Sequence, residues 1–166
     1  MSNQNLKPSD DLKKYTRYRE ALKLIAYPDP GSRDGTPWTI GYGHTKGVRR
    51  GMTCTEAQAE SWLTQDLEAA AATVRKLVTV PLTQGQFDAL TDFAYNVGEP
   101  QFSTSTLLRK VNTLQFGQAA QQFERWIYQD GKKLLGLKRR RVAERALFEG
   151  RSVEEAIKLG ESIKSL

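Results

Sequence analysis

Arg19-Glu20-Ala21-Leu22-Lys23-Leu24-Ile25-Ala26-Tyr27-Pro28-Asp29 and, a little further on, Trp38-Thr39-Ile40-Gly41-Tyr42-Gly43-His44-Thr45 mark the point where this chain changes character. The first run closes an amphipathic pattern. Ser9 is placed as an N-cap, Asp10 and Asp11 fall in the first turn, and Leu12, Tyr15, Arg19, Leu22, Ile25 and Ala26 keep helical spacing, so a helix is predicted over residues 9–26. Pro28 and Pro30 stop it, because neither can donate a backbone hydrogen bond. The second run is strand-like and sits among Gly31, Gly35, Gly41, Gly43, Gly47 and Gly51, which predicts a small turn-rich hairpin lobe over residues 27–53.

Outward from that lobe the chain reads as helical. Thr55 and Gln58 form a capping-box pattern, followed by Trp62, Leu63, Leu67, Ala70, Ala71, Val74 and Leu77 on one face until Pro81. Thr83 and Gln86 open a second helix with Phe87, Leu90, Phe93, Ala94 and Val97 inward, ended by Gly98 and Pro100. Shorter helices are predicted near residues 104–112, 117–129 and 137–149, and Ser152 with Glu155 caps a last one over 153–165. The expectation is an α+β fold in a single domain over residues 1–166. It is mainly helical, with a small N-terminal β-hairpin lobe, the first helix packed on a C-terminal helical bundle, and a cleft between lobe and bundle, where ligand sites commonly lie.

The 166 residues are 39% hydrophobic and 27% charged, which excludes a disordered chain. No apolar run approaches the ~18–20 residues that cross a bilayer, so no stable membrane insertion is expected. The first eight residues hold no apolar stretch, so no secretory signal is expected. One cysteine, Cys54, and one histidine, His44, exclude an internal disulfide and a multi-cysteine or multi-histidine metal site, and no cofactor is implied. The net charge of +6 is unevenly placed. Residues 132–151 carry eight basic side chains against Glu144 and Glu149, and the rest of the chain is balanced. A polyanion or a nearby carboxylate is the expected partner.

Glu20 and, nine positions on, Asp29 are the acids placed for chemistry. Cleaving a glycosidic bond takes one carboxylic acid that donates a proton to the leaving oxygen and one carboxylate that activates water or stabilises the sugar cation. By themselves such residues are as readily a helix-surface charge and a turn residue.

The two opening stretches together resemble the phage-type lysozymes, or endolysins: a Glu, an Asp nine positions on, then a hairpin of the pattern W/Y-T-I-G-x-G-H. Phe93-Ala94-Tyr95-Asn96-Val97-Gly98 resembles that family's helix facing the cleft, and Gly136-Leu137-Lys138-Arg139-Arg140-Arg141-Val142-Ala143-Glu144-Arg145 its basic C-terminal helix. The resemblance runs over residues 18–150 in the same order. It implies a lysozyme-like fold and a muramidase that cleaves the β-1,4 link between N-acetylmuramic acid and N-acetylglucosamine in peptidoglycan, lysing the wall for phage release. It implies Glu20 as general acid, Asp29 acting on water or on positive charge at the anomeric carbon, and Thr39 holding that water. Tyr95 and Asn96 are read either as cleft residues that bind sugar or as a core aromatic and a helix-end residue. Without a secretory signal the enzyme is expected in the host bacterial cytoplasm, as a monomer, and the resemblance implies a separate holin through which it reaches the periplasm and wall.

One departure bears on the second carboxylate. Asp29 and Thr39 are ten positions apart, further than in compact members of the family, and the intervening residues bring Asp34 to within five of Thr39. Asp29 is preferred because its spacing from Glu20 matches and the extra residues can loop out after it. One of Arg139, Arg140 and Arg141 is expected to point at Glu20, and the others to attract the anionic wall, since ~100° per residue spreads three neighbours around a helix. His44 is read as a hydrogen-bonding residue of the hairpin, Cys54 as a packing residue, Trp62 and Trp126 as core, and Trp38 as lining the cleft. A lytic transglycosylase, which needs no water-activating carboxylate, and a basic nucleic-acid-binding module are the other readings; the second lacks the aromatic-interleaved basic motifs such modules use, so no nucleic acid is expected. Whether configuration inverts or is retained depends on carboxylate separation in space.

Overall fold

In the computed structural model, which describes residues 3–30 and 32–166, the first helix, α1, runs Asp10–Glu20. Ser9 caps it, its hydroxyl oxygen accepting from the Leu12 N–H at 3.0 Å while its own N–H donates to Asp88 at 3.2 Å. The helix does not continue to Ala26. It ends at Glu20, and Ala21 turns out with φ of 50°. Leu22, Ile25 and Ala26 have helical spacing, but β1 (Lys23–Tyr27) finds partners on both sides instead. It pairs antiparallel with β2 (Thr39–Gly41), Tyr27 opposite Thr39 and Lys23 opposite Gly41. On its other side the Ala26 N–H donates to the Met52 carbonyl at 2.9 Å, and the Cys54 N–H to the Leu24 carbonyl at 3.0 Å. The β-lobe therefore begins at residue 23, and Glu20 is the last residue of a helix rather than an interior one. Gly31, one of the glycines read as lobe residues, lies outside the described residues.

The remaining elements are helical apart from one hairpin. Thr55 caps α2 (Glu56–Leu77). Thr83 and Gln86 close a full capping box on α3 (Gln84–Val97), and Gly98 ends it with φ of 87°. Then come the short α4 (Glu99–Ser103), α5 (Thr106–Asn112) and α6 (Phe116–Gln122), the last passing into a 3₁₀ turn, Phe123–Arg125. The helix predicted over residues 117–129 stops there, because Asp130 and Gly131, both with positive φ, turn β3 (Tyr128–Gln129) back on β4 (Lys132–Lys133). An Asp-Gly pair suits such a two-residue turn. Helices α7 (Leu135–Phe148) and α8 (Val153–Ser162) follow, the latter opened by the capping box of Ser152 and Glu155.

Helix α3 runs through the middle of the body and is buried from Phe87 to Ala94, polar Asp88, Thr91 and Asp92 included. Phe93 is its packing centre: it meets Trp126 at 5.2 Å, Phe123 at 5.7 Å and Phe102 at 6.1 Å between ring centroids, all edge-on. Against α3, α2 presents Leu63, Leu67, Ala71 and Val74, and α1 adds Leu12 and Tyr15. Trp126 thus belongs to the core, as its helical face predicts. Truncating Phe93 at this junction (Phe93→Ala) should destabilise the protein by about 3–5 kcal/mol in equilibrium urea unfolding; a loss below 1 kcal/mol would mean that the aromatic junction is not a packing centre.

Candidate active site

A cleft of about 770 Å³ opens between the β-lobe and the helical body. Its walls include Glu20, Tyr27, Asp29, Thr39, Asp66, Tyr95 and Asn96, so all five residues singled out from the sequence face one cavity. They come from four places: the end of α1, the segment after β1, strand β2 and the end of α3.

Glu20 occupies the negative end of the α1 dipole, an unfavourable place for a carboxylate. Arg140 of α7 offsets it, its Nη1 donating to Glu20 Oε1 at 2.8 Å. One member of the arginine triplet does point at Glu20, as expected. The other carboxyl oxygen, Oε2, faces Gly43: a Cβ there would lie 2.8 Å from it and 3.0 Å from the Tyr95 hydroxyl, on a backbone with φ of +82°. Gly43 is a site residue that the sequence marks only as one of the lobe's turn glycines. The Tyr95 hydroxyl donates to the Tyr42 carbonyl at 2.8 Å. Burial pushes that phenol above its ordinary range, and the charge of Glu20 adds to the shift. Tyr95 is thus both a partly buried packing residue and a cleft wall. Asn96 is exposed in the cleft and accepts from Arg141 through Oδ1.

The hairpin decides where Thr39 stands. Its register partner is Tyr27, and its hydroxyl donates to the Pro37 carbonyl at 3.4 Å. Burial raises the Tyr27 phenol, with the charges of Glu20 and Asp29 adding to it. Tyr27 was not singled out beforehand, and the signal that could have found it is register, which needs the strand pairing first.

Asp29 and Asp34 separate cleanly. The Asp29 N–H donates to the Gly35 carbonyl at 2.9 Å, closing the loop that follows it and leaving Asp29 on the cleft wall. Asp34 lies within that loop and is not among the residues of the cleft wall. Its Oδ1 accepts from the Thr36 hydroxyl at 2.6 Å, the Thr36 N–H at 3.0 Å and the Ser32 hydroxyl at 2.7 Å. Those bonds, led by the Thr36 hydroxyl, pull its carboxyl down to about 2.

Several charges and rings differ from expectation. Trp38 does not line the cleft; it lies against the Gly35 turn, its Nε1 3.7 Å from where a Gly35 Cβ would be. His44 bonds Asp66 of α2 at 2.7 Å and stacks on Trp62 at 4.6 Å, tying the lobe to the body. Trp62 is half-buried at that contact. Cys54 packs against the core, and burial raises its thiol. The outer face of α7 is less free to attract a polyanion than its sequence implies. Arg140 and Arg141 are buried, Arg145 pairs with Glu124 and Glu149, and Lys138 and Arg139 donate to the carbonyls of Ser165 and Ile163. Counting charges along the chain could not show that these cations are spent on carboxylates and carbonyls of the same molecule. Among the described residues no cluster of His, Cys, Asp or Glu could hold a metal ion, and no helix is long and apolar enough to cross a membrane.

Comparison with known proteins gives the following likenesses. A family model described as phage lysozyme matches residues 17–144. The endolysin of Acyrthosiphon pisum secondary endosymbiont phage 1 is 41% identical over 134 residues, covering 78% of this chain and 89% of that one. The endolysin of Bacillus phage PZA is 45% identical over 130 residues, 78% of this chain and 50% of that one, so the chain spans about half the length of that relative. Among solved structures, the muramidase domain of SpmX from Asticaccaulis excentricus superposes with a TM-score of 0.77 at 37% identity, covering 87% of this chain and 98% of that one.

Two measurements check the geometry. Gly43→Ala should lower wall lysis at least ~10-fold by crowding Glu20 and Tyr95, while the strain of a left-handed alanine lowers stability by only ~1–2 kcal/mol; unchanged lysis would show that Gly43 sets no limit on the site. The Asp34 carboxyl ¹³C resonance should titrate near 2, below the ordinary ~3.9. The stability it lends is present above the ordinary value and is lost as the pH falls through about 2.

Proposed function

The chain belongs to the phage lysozyme family, and on that premise we propose that Glu20, Asp29 and Thr39 carry out the hydrolysis. The enzyme is a lysozyme-type glycoside hydrolase, a muramidase that lyses peptidoglycan; a transglycosylase or a nucleic-acid-binding module is not favoured.

What carries the assignment is the placement of Glu20. One carboxyl oxygen is anchored on Arg140, and the other faces a cleft that also holds Asp29 and Thr39. A glycan strand bound across the cleft puts its glycosidic oxygen beside Glu20, which donates a proton to the leaving sugar. Asp29 meets the positive charge that grows at the anomeric carbon or orients the attacking water, and Thr39 holds that water through its hydroxyl. Tyr95 offers a rigid wall to the sugar. Asn96, its carbonyl taken by Arg141, has an amide N–H₂ to donate to an N-acetyl group.

The reading extends to the enzyme's setting. It acts as a monomer and a single lysozyme-like domain over residues 1–166, without metal or nucleic acid, is held in the host cytoplasm, and reaches the wall when a holin opens the membrane. Turbidity clearing of a peptidoglycan suspension tests the residue roles. Glu20→Gln and Asp29→Asn should each lower the rate by ~10²-fold or more, while Asp34→Asn keeps most of it. The reverse pattern for the two aspartates would move the role to Asp34.

A further inference from the structure

Behind Glu20 lies a group of charges that proton donation itself does not use. Asp92 of α3 and Glu144 of α7 are both completely buried, Arg141 is 1% exposed and Arg140 5%. Arg140 turns its Nε–Nη2 edge on Asp92, with Nε donating at 3.0 Å and Nη2 at 2.9 Å, and donates to Glu20 from Nη1. Arg141 donates to both oxygens of Glu144 at 2.6 and 2.8 Å, and Glu144 stands 3.6 Å from Arg140 Nε.

Two guanidinium groups thus face three carboxyl groups, of which Glu20 opens on the cleft while Asp92 and Glu144 are cut off from water; with all three ionised the cluster holds one negative charge more than its two arginines offset. Asp92 and Glu144 also meet at one group, Arg140, whose Nε lies 3.0 Å from Asp92 and 3.6 Å from Glu144. Two ionised carboxylates so placed in the core repel each other, and a single proton shared between them relieves that repulsion. Their surroundings say where the proton sits. Burial opposes the charge on Asp92, but the Arg140 charge and hydrogen bonds hold its carboxyl below the usual range. Complete burial holds Glu144 well above it, with Asp92 adding to the effect and Arg141 opposing it.

We propose that Asp92 and Glu144 share one proton, carried on Glu144, and that ionised Asp92 is a positioning residue for Glu20. Asp92 fixes the Nε–Nη2 edge of Arg140, and in that orientation Glu20 is held by one bond, from Nη1, and keeps Oε2 turned to the cleft. An arginine free to turn its whole fork on Glu20 would bind both oxygens and favour the ionised form, which has no proton to give. Glu20 is otherwise faced by Tyr95 from α3 and by Tyr27 and Asp29 from the lobe. Asp92 is faced by Tyr15 from α1 and by Arg140, Arg141 and Glu144 from α7. The positioning role rests on the reading of Glu20 as proton donor; the shared proton does not.

Two variants test the two halves. In Asp92→Asn, Arg140 loses its ionised partner and closes on Glu20. The alkaline limb of the kcat/KM profile should then move down by about one pH unit, and kcat at neutral pH should fall ~10-fold with KM little changed. A lower melting temperature with the limb unmoved would overturn the positioning role, leaving Asp92 a purely structural residue. Activity retained by Glu20→Gln would overturn it together with the reading beneath it. The proton is counted without activity, from urea stability against pH. The folded protein keeps on Glu144 a proton that the unfolded chain releases above its ordinary ~4.3, so stability is lost as the pH rises from there. Glu144→Gln gives Asp92 an amide N–H in place of that proton, and should remove one proton from the slope over pH 5–7. An unchanged slope would overturn the shared proton.

Discussion

The guanidinium of Arg140 is the contact on which the rest of the site depends. It joins α7 to Glu20, 120 residues away, and to Asp92, 48 residues away, and so holds the end of α1, the middle of α3 and α7 at fixed distances. The same charge stabilises a carboxyl at the negative end of a helix dipole and lets a carboxylate lie in the core of α3. Arginine suits this because its fork offers a paired edge and a remaining Nη1 in one plane; a lysine would present a single point charge. The geometry of the cleft and the packing of the body therefore draw on one residue. Neither Glu20 nor Asp92 could keep its place without it, since removing one member of a buried ionic group leaves the others without compensation.

The second constraint is the hand-over from helix to sheet. Once α1 stops at Glu20, the chain is in register to pair Tyr27 with Thr39, and the short strand turns at Gly43 beneath Glu20. The loop after Asp29 is closed by the Asp29–Gly35 bond, so its extra residues do not disturb the cleft wall. His44, bonded to Asp66 and stacked on Trp62, fastens the far end of the lobe to α2. A cleft with one wall of sheet and one of helix follows, its acids on both sides. Asp34, close in sequence and equal in chemistry, is turned to its own neighbours, which hold its Oδ1 with three hydrogen bonds in a local turn away from the cleft wall.

Local physics was legible where it is local. The caps at Ser9, Thr55, Thr83 and Ser152 sit where the sequence places them, because an N-cap needs only a hydroxyl and the amide three residues on. The Asp130-Gly131 turn carried an equally local signal that the helical pattern around it masked. The turn at Asp34 was readable in the same way, from Ser32 and Thr36. The end of α1 was not, since helical spacing persists to Ala26 and only hydrogen bonds from residues 39–41 and 52–54 overrule it. Tertiary pairing outweighs propensity of a few tenths of a kcal/mol per residue.

By itself the sequence determined the class of fold, the cleft and its five residues, and that an arginine would reach Glu20, because residue type, spacing and capping are properties of the chain alone. Which arginine reaches it, that the basic stretch is spent largely inside the molecule, that Asp92 and Glu144 belong to the same cluster, and that Gly43 leaves room for the acid were decided only by tertiary structure. A charge's effect depends on its distance from its partner and on how much water separates them, and neither is written in one dimension.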